Sequence, residues 1–432
     1  LGTTVGADET HLRGAQLNVH HRPLAMPLGK NRQGLVLGEQ ASHHGCGEVA
    51  IKVMVVFGTR PEAIKMAPLV IELKKQADLF ETTTVVTAQH RQMLDQVLET
   101  FKIEPDYDLD IMGKNQTLTD ITVKILHKLD DILKENKPDI MLVHGDTTTT
   151  FAASLAAFYN QVRIGHVEAG LRTWNKYSPF PEEMNRQMTD SLTDLYFAPT
   201  DQSKANLLKE NHPAETVFVT GNTAIDALKL TVQADYQHEV LDRIDPARKM
   251  ILVTMHRREN QGEPMRRVFR TLRQIVDAHD DVEIVYPVHL SPAVQEAARE
   301  ILSDNEKIHL IEPLDVLDFH NIAAKSYFIM SDSGGVQEEA PSLGKPVLVL
   351  RDTTERPEGV EAGTLKLVGT ETQAVAEAME ALLTDESLYQ EMAQASNPYG
   401  DGKASERIAQ AIAHYFKQTA RPEEFKTGVK NV

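Results

Sequence analysis

The chain has 432 residues, of which 45 are Lys or Arg and 63 are Asp or Glu, so its formal charge at pH 7 is −18. This acidic balance disfavours the basic surface that nucleic-acid binding needs, and no nucleic-acid partner is expected. The single cysteine, Cys46, excludes an intrachain disulfide framework and fits a reducing cytoplasm. No apolar run approaches the roughly 18 residues of a spanning helix, so we predict a cytoplasmic protein without a membrane partner.

The first fifty residues differ in composition from the rest of the chain. They contain many glycines and histidines, no aromatic residue and no apolar periodicity. A segment of this kind cannot bury enough apolar surface to offset the entropy of ordering it. We therefore predict that residues 1–50 form a disordered or non-native extension.

Apolar strands alternate with helices from residue 51 onward. The first strand, Lys52–Phe57, precedes a helix over Ala63–Gln76. Further strands are predicted at Thr83–Thr87, Ile140–His144, Arg163–Val167, Asp194–Ala198 and Thr216–Thr220, with helices at Thr119–Glu135 and Thr147–Tyr159. Continuous apolar strands between helices indicate a parallel sheet covered on both faces. We predict a first Rossmann-like domain over residues 51–221.

The same alternation restarts in the second half of the chain. Strands are predicted at Met250–Thr254, Glu283–Pro287, Ile308–Ile311, Tyr327–Ser331 and Pro346–Leu350, followed by a last helix over Ala404–Phe416. We predict a second Rossmann-like domain over residues 222–402 and a charged tail over residues 419–432. The fold class is thus α/β, with two doubly wound parallel-sheet domains facing a central cleft.

Polar residues follow the predicted strands at the edge where open parallel sheets bind ligands. They include Gly58-Thr59-Arg60, His144-Gly145-Asp146, His166-Val167-Glu168, His256 to Glu259 and Asp332 to Gly335. Packing alone does not predict acids, bases and glycines at one edge of both sheets. The cleft between the domains is therefore the predicted site.

Two turns are candidates for binding a phosphorylated ligand. Gly334 and Gly335, after Ser333, permit close approach of backbone amides to an anion at a helix N-terminus, and Glu339 would then accept from ribose hydroxyls. The alternative is a plain tight turn with solvated glutamates. In the first half, Arg60 and Lys65 would supply cations to a phosphate, unless Lys65 is a solvated helix lysine.

Three carboxylates and one histidine are candidates for proton transfer. Asp146, Glu168 and Glu182 would converge on the cleft, where their pKa values can be pushed apart. Asp146 is alternatively a helix N-cap, and Glu182 is alternatively an acidic helix starter. His256 would act as an acid or contact a phosphate, although a structural role is equally open from its position.

The chain lacks several familiar cofactor motifs. There is no G-x-G-x-x-G after the first strand, no G-x-x-x-x-G-K-[ST] and no H-E-x-x-H. Sites for NAD, for ATP of the Walker type and for zinc of that motif are therefore disfavoured. We expect no cofactor and no metal.

Many motifs in correct order resemble those of the non-hydrolysing bacterial UDP-N-acetylglucosamine 2-epimerases. They are VFGTRPEAIKMAPL (56–69), TAQHRQMLDQVL (87–98), VHGDTTTT (143–150), GHVEAGLRT (165–173), SPFPEEMNRQ (178–187), TGNTAIDAL (220–228), HRREN (256–260), SDSGGVQEEAPSLGKPVLVLRDTTERPE (331–358) and NPYGDG (397–402). The resemblance spans about residues 52–416. It implies the two-domain architecture of GT-B glycosyltransferases, a final helix (403–418) that completes the first domain, and a homodimer.

The resemblance also implies an activity and a set of site residues. The activity is reversible conversion of UDP-N-acetylglucosamine (UDP-GlcNAc) to UDP-N-acetylmannosamine (UDP-ManNAc) for cell-envelope polysaccharides. Motif matching gives the catalytic residues as Asp146, Glu168, Glu182 and His256, and the substrate-binding residues as Arg60, Lys65, Arg186, Leu314, Phe319, Ser333, Gly334, Gly335, Glu339 and Arg356. A second, allosteric UDP-GlcNAc site would be lined by Gln89, Gln92, Arg257 and His289.

The chemistry limits how such a reaction can proceed. The C2 proton of the sugar is not α to a carbonyl, and transient oxidation would need a nicotinamide, for which no fingerprint is present. Elimination of UDP to 2-acetamidoglucal, followed by re-addition, remains. The alternatives are a hydrolysing epimerase, a GT-B glycosyltransferase using the same donor clamp, and an inactive nucleotide-sugar sensor.

Three residues depart from the family pattern. Asp190 stands where a small residue such as Gly is expected, and Met255 is bulkier than usual. Both are predicted to have modest effects because they match no carboxylate or phosphate ligand. Asn115 stands where a basic residue is expected, which bears on the strength of allosteric activation.

Overall fold

The structure is a computed structural model that describes residues 49–88, 91–354 and 356–427. Nearly all of the predicted N-terminal extension therefore lies outside the described residues. The described chain contains a seven-stranded sheet, ordered β3-β2-β1-β4-β5-β6-β7, and a six-stranded sheet, ordered β10-β9-β8-β11-β12-β13. Neighbouring strands in both sheets run parallel, which confirms the predicted α/β fold with two parallel-sheet domains.

The first half of the chain builds the seven-stranded sheet and its helices. Its elements are β1 (Ile51–Phe57), α1 (Arg60–Lys75), β2 (Phe80–Val86), α2 (Arg91–Thr100), β3 (Tyr107–Asp108), α3 (Leu118–Glu135), β4 (Ile140–His144), α4 (Thr148–Tyr159), β5 (Arg163–Val167), α5 (Glu182–Leu192), β6 (Leu195–Ala198), α6 (Asp201–Lys209), β7 (Val217–Val219) and α7 (Thr223–Thr231). The central strands are apolar and buried because helices cover both faces.

The second half builds the six-stranded sheet. Its elements are α8 (Glu239–Asp242), β8 (Lys249–Thr254), α9 (Glu263–Ala278), β9 (Val282–Pro287), α10 (Pro292–Leu302), β10 (Ile308–Ile311), α11 (Val316–Lys325), β11 (Phe328–Ser331), α12 (Gly334–Glu339), β12 (Val347–Val349), α13 (Pro357–Glu361), β13 (Leu365–Leu367), α14 (Thr372–Thr384), α15 (Glu386–Ala393) and α16 (Ala404–Tyr415). Its core lies between β8, β9 and β11 and the helices that pack on them.

The strand order reverses once in each sheet, and this reversal locates the site. In the first sheet β1 lies between β2 and β4, and in the second β8 lies between β9 and β11. At such a reversal, the loops that follow two neighbouring strands run in opposite directions. A crevice therefore opens between them at the carboxyl ends of the two strands. The loops at these two points are residues 58–60 and 145–147 in the first sheet, and 255–257 and 332–333 in the second.

The last helix returns to the first sheet. Ile408 and Ile412 on α16 are fully buried in the core formed by β1 and α1. Beyond it, the described part of the tail lies against β7, where the Phe425 N–H donates to the Val219 carbonyl at 2.8 Å. Phe425 is buried, so apolar contact holds a segment whose charge pattern had indicated a frayed end.

None of the helices in residues 49–88, 91–354 and 356–427 combines the length and the apolar character needed to cross a membrane.

Candidate active site

Two loops of the first sheet are joined through one buried carboxylate. Glu62 accepts hydrogen bonds from the N–H groups of Gly58 and Thr59 at 3.2 and 2.7 Å, and from the Thr147 hydroxyl at 2.8 Å. Thr147 also caps α4, because its hydroxyl accepts from the Thr150 N–H. The alternative role of Asp146 as the helix cap is therefore wrong, and its carboxylate is left for the cleft.

Glu168 lies at the centre of the first half of the site. Its Oε2 is 2.6 Å from the Lys65 ammonium and 3.4 Å from Nε2 of the buried His144. Its backbone has φ +65°, a left-handed conformation that is unfavourable for a glutamate and frequent at functional sites. Burial alone raises the pKa of Glu168, but Lys65 and His144 hold that pKa well below its ordinary value. Glu168 is therefore ionised and able to accept a proton.

Asp146 lies on the neighbouring loop with the opposite electrostatic character. Its Oδ2 is 3.0 Å from the Arg186 guanidinium, and Asn185 holds its carbonyl at 3.0 Å. Burial raises the pKa of Asp146, while Arg186 opposes that shift and the charge of Glu168 adds to it. The pKa values of two neighbouring carboxyls are thus displaced in opposite directions, the arrangement that supplies an acid and a base in one site.

Glu182 and Arg186 share helix α5, which lies beside these loops. Glu182 is its first residue, where an acidic side chain is favourable at a helix start, and it is half-buried. Its neighbour Glu183 is fully buried and accepts from the N–H groups of Thr173 and Trp174 at 3.1 and 2.9 Å. Glu183 thereby anchors the preceding loop, and Glu182 remains at the edge of the cleft.

Asp332 organises the second half of the site. This fully buried carboxylate accepts from the N–H groups of His256 and Arg257 at 3.1 and 2.9 Å, and from the Asn260 amide at 3.0 Å. The His256 ring stacks on His289, with centroids 5.3 Å apart. Burial lowers the pKa of His256 against the opposing effect of Asp332, and the neighbouring His289 and Arg257 lower it further. An anion bound beside the ring would favour its charged form.

The Asp332→Ala variant is expected to lower the free energy of unfolding by about 3 kcal/mol, because three N–H donors lose their acceptor. Urea denaturation measures the change. UDP affinity, followed by calorimetric titration, is expected to fall as well because the loop carrying His256 loosens. Asp332→Asn keeps one acceptor oxygen and is expected to lose less stability. Wild-type stability of Asp332→Ala would contradict this role.

The glycine turn of the second sheet lies against an arginine. A Cβ on Gly334 would stand 2.5 Å from Nη1 of Arg356, so only glycine permits this approach. The Arg356 Nε donates to the buried Glu338 at 2.6 Å. Ser333 occupies the N-cap position of α12 without a side-chain capping bond, and the first amides of this helix come from Gly334 and Gly335. Cation and amides together suit a diphosphate.

The remaining predicted binding residues are held by contacts within and between the two sheets. Arg60, at the start of α1, reaches across to the Leu314 carbonyl at 3.5 Å. Phe319 and Leu314 are half-buried and pack on the core of the second sheet. Glu339 pairs with His320 at 3.1 Å, which orients its carboxylate.

Proteins of known family are similar in sequence to this chain. A model of the UDP-N-acetylglucosamine 2-epimerase family matches residues 72–413. The UDP-N-acetylglucosamine 2-epimerase of Bacillus subtilis is 64% identical over 376 residues, which are 87% of this chain and 98% of that protein. The chain belongs to the UDP-N-acetylglucosamine 2-epimerase family.

Two solved structures that are similar to this chain contain a bound uridine nucleotide. The UDP-GlcNAc 2-epimerase of Neisseria meningitidis, bound to UDP-GlcNAc, is 51% identical with a TM-score of 0.76, over 84% of this chain and 100% of that one. The S. aureus protein MnaA, solved with UDP, is 55% identical with a TM-score of 0.79, over 87% of this chain and 100% of that one. A glycosyltransferase from Rickettsia africae, 12% identical with a TM-score of 0.58, shares the fold alone.

The predicted allosteric residues are placed unevenly. His289 and Arg257 adjoin His256, since His289 stacks on it and Arg257 Nε donates to the Asp332 carbonyl at 2.8 Å. Gln92 is exposed near the start of α2. Gln89 lies outside the described residues.

Sequence reasoning assigned no role to four polar residues that organise the site of this epimerase, although it named His144 and Asp332 at the ligand-binding edge of the sheets. Glu62, His144 and Asp332 follow or end strands, and their position at the switch points is the signal that marks them. Asn222 gave no comparable signal, since its partners are distant in the sequence. Its amide bonds Glu168 at 3.0 Å and Glu338 at 2.7 Å.

Proposed function

We propose that the chain epimerises UDP-GlcNAc to UDP-ManNAc at C2, reversibly and without net hydrolysis, for the synthesis of cell-envelope polysaccharides. The observation that carries this proposal is the pair of neighbouring carboxyls, Asp146 and Glu168, whose pKa values are shifted in opposite directions. Relatives that bind UDP-GlcNAc or UDP support the substrate.

The reaction proceeds by elimination and re-addition. Glu168 removes the C2 proton, the C–H electron pair forms the C1–C2 double bond, and the C1–O bond breaks with its pair leaving on UDP. The β-phosphate oxygen of UDP then adds back to C1 of 2-acetamidoglucal while Asp146 delivers a proton to the other face of C2. After one turnover Glu168 is protonated and Asp146 is ionised. Proton exchange with solvent restores the starting state of both.

The diphosphate clamp stabilises the charge that develops on departing UDP. Arg60 from the first sheet and His256 with the Ser333–Gly335 turn from the second face the cleft, and Arg356 adds a guanidinium beside the turn. Fixed donors of this kind act where charge develops and need no reorganisation. Leu314 and Phe319 form the uracil end, and Glu339 accepts from the ribose.

Lys65, Glu182 and Arg186 complete the sugar end of the cleft. Lys65 keeps Glu168 ionised at 2.6 Å, and Arg186 orients Asp146 at 3.0 Å. Glu182, at the edge of the same helix as Arg186, contacts the sugar near C2 in this proposal. Closure of the two sheets on the substrate would keep the glucal and UDP together.

Product analysis tests the activity. The protein is incubated with UDP-GlcNAc, and phosphorus NMR with anion-exchange chromatography follows the sugar nucleotides. The expected result is an equilibrium mixture of both epimers with nearly all UDP esterified. Free UDP in step with free N-acetylmannosamine would assign the hydrolysing reaction instead, and unchanged substrate would refute epimerisation.

We also propose a second UDP-GlcNAc site beside the first, in a homodimer. Arg257 and His289 support it, because His289 stacks on His256 and the N–H groups of Arg257 and His256 donate to the same Asp332 carboxylate. Gln92 would face them from the first sheet, and the predicted residue Gln89 lies outside the described residues. Sigmoidal dependence of the rate on UDP-GlcNAc in the wild type, reduced in a Gln92→Ala variant, is the expected behaviour.

A further inference from the structure

Asn222 lies where the two connections between the sheets meet. It follows β7 and caps α7, and its backbone N–H donates to the Tyr399 carbonyl at 2.7 Å. The preceding Gly221 has φ +80°, and a Cβ there would stand 3.2 Å from the Gly400 Cα. The two backbone connections between the sheets are therefore in direct contact with each other at Asn222.

All polar positions of the Asn222 side chain are used. Its Oδ1 accepts from the Ala224 N–H at 2.9 Å. Its Nδ2 donates to Glu168 Oε2 at 3.0 Å and to Glu338 Oε2 at 2.7 Å. Because ionised carboxylates only accept, both amide hydrogens are committed and the amide has one possible orientation. The residue is almost fully buried.

These bonds continue in both directions into the substrate machinery. Glu168 pairs with Lys65 at 2.6 Å, and Glu338 pairs with Arg356 Nε at 2.6 Å. A continuous hydrogen-bonded chain thus runs from Lys65 through Glu168, Asn222 and Glu338 to Arg356. It joins the proton-transfer group of one sheet to the diphosphate clamp of the other.

We propose that Asn222 is a positioning residue that couples the Glu168 carboxylate to the Glu338–Arg356 pair across the cleft. The inference rests on the proposed function and deepens it. The amide separates two carboxylates that would otherwise repel each other, and it fixes which oxygen of Glu168 is left to face the sugar. A diphosphate that binds Arg356 weakens the bond between Arg356 and Glu338. This change reaches Glu168 through the Asn222 side chain alone.

Several charged groups set the protonation of Glu168 together. Lys65 faces it from α1, His144 from the end of β4, and Asp146 from the following loop. Glu338 and Arg356 act from the second sheet through Asn222. Removing a donor to an ionised carboxylate raises its pKa, whereas removing a nearby negative charge lowers it. Removing the Asn222 donor and removing the Glu338 charge therefore shift the pKa of Glu168 in opposite, measurable directions.

Two substitutions at Asn222 separate donation from space-filling. Asn222→Asp is isosteric and keeps the acceptor for Ala224, but replaces the donor by a third carboxylate. Asn222→Ser keeps an N-cap acceptor and removes the two amide hydrogens. We expect kcat to fall about 100-fold in the first and about 10-fold in the second, by misplacement of the base. UDP affinity, measured by calorimetry, is expected to change much less in Asn222→Ser.

The pH profile of kcat supplies the deciding readout. Its acid limb is expected to move to higher pH in Asn222→Ser and to lower pH in Glu338→Gln. Asp385→Asn is the control, because it replaces Asp by Asn at the cap of α15, where the side chain accepts from the Leu388 N–H. It is expected to leave kcat unchanged. Thermal unfolding shows which variants are folded. If Asn222→Asp does not fold, Asn222→Ser still tests the coupling.

Three outcomes would overturn the coupling. They are kcat within two-fold of wild type in Asn222→Asp, acid limbs that move in the same direction or not at all, and equal proportional losses of kcat and UDP affinity in Asn222→Ser. Wild-type protein that exchanges no C2 proton would refute the proposed function itself. That failure is distinguishable, because the variants are judged only against a wild type that exchanges.

Discussion

The Glu168→Gln variant is expected to lose about 1,000-fold in kcat, since a positioned general base contributes roughly 10²–10⁴-fold. The amide keeps the shape of the side chain but cannot accept the C2 proton. Arg60, His256 and Arg356 remain in place, so UDP affinity is expected to stay within a few-fold of wild type. Steady-state rates and calorimetric titration with UDP separate the two effects.

Glu283→Gln is the matched control for this substitution. Glu283 is also a buried glutamate, and it accepts from Arg248 at 2.7 Å and from His309 at 2.6 Å in the second sheet. Its neutralisation is expected to reduce stability while leaving kcat near wild type. A Glu168→Gln rate within ten-fold of wild type would remove Glu168 from the proton-transfer step.

The second large effect concerns Asp146 and pH. Because the pKa of Glu168 is lowered and that of Asp146 is raised, the productive form has Glu168 ionised and Asp146 protonated. The rate in the direction of UDP-ManNAc is expected to rise as Glu168 loses its proton and to fall as pH rises through the pKa of Asp146. Asp146→Asn is expected to lower kcat about 100-fold and to abolish the alkaline limb.

The two carboxylate variants should therefore alter opposite limbs of the pH profile. Glu168→Gln is expected to lose the acid limb and Asp146→Asn the alkaline one, measured as kcat/KM in a single buffer series. An alkaline limb that survives unchanged in Asp146→Asn would assign it to another group. Arg186, which holds Asp146 at 3.0 Å, stays present in both variants.

The sequence predicted the fold and the edge of the sheets that carries the site, because both follow from local patterns. Apolar runs of five to seven residues mark buried strands such as β1 and β4, and polar residues directly after them mark the carboxyl ends. The strands β3 (Tyr107–Asp108) and β13 (Leu365–Leu367) were not predicted, since each is a short edge strand that contains a charged residue and no continuous apolar run.

Contacts between distant residues could not be predicted in this way. Asn222 is 54 residues from Glu168 and 116 from Glu338, and nothing in the motif around it names a carboxylate partner. The choice of Thr147 over Asp146 as helix cap depends on the backbone at that turn, which sequence alone leaves open between adjacent polar residues.

Asp190 shows the same limit at a residue that departs from the family pattern. From the sequence, Asp190 matches no carboxylate or phosphate ligand of the family. In the structure Asp190 is fully buried, 2.6 Å from His166 Nδ1, while His166 Nε2 is 2.7 Å from the carbonyl of Gly145. It therefore supports the turn that presents Asp146, and the modest effect of this departure stays a prediction.

The most direct test of the account is proton exchange at C2 in D₂O. Wild-type protein is incubated with UDP-GlcNAc, and proton NMR follows the C2 resonance of both epimers. Deuterium is expected at C2 in UDP-ManNAc formed by the wild type, with UDP still esterified, and almost none is expected in Glu168→Gln. Formation of UDP-ManNAc with the original C2 hydrogen fully retained would contradict elimination and re-addition between two carboxyls.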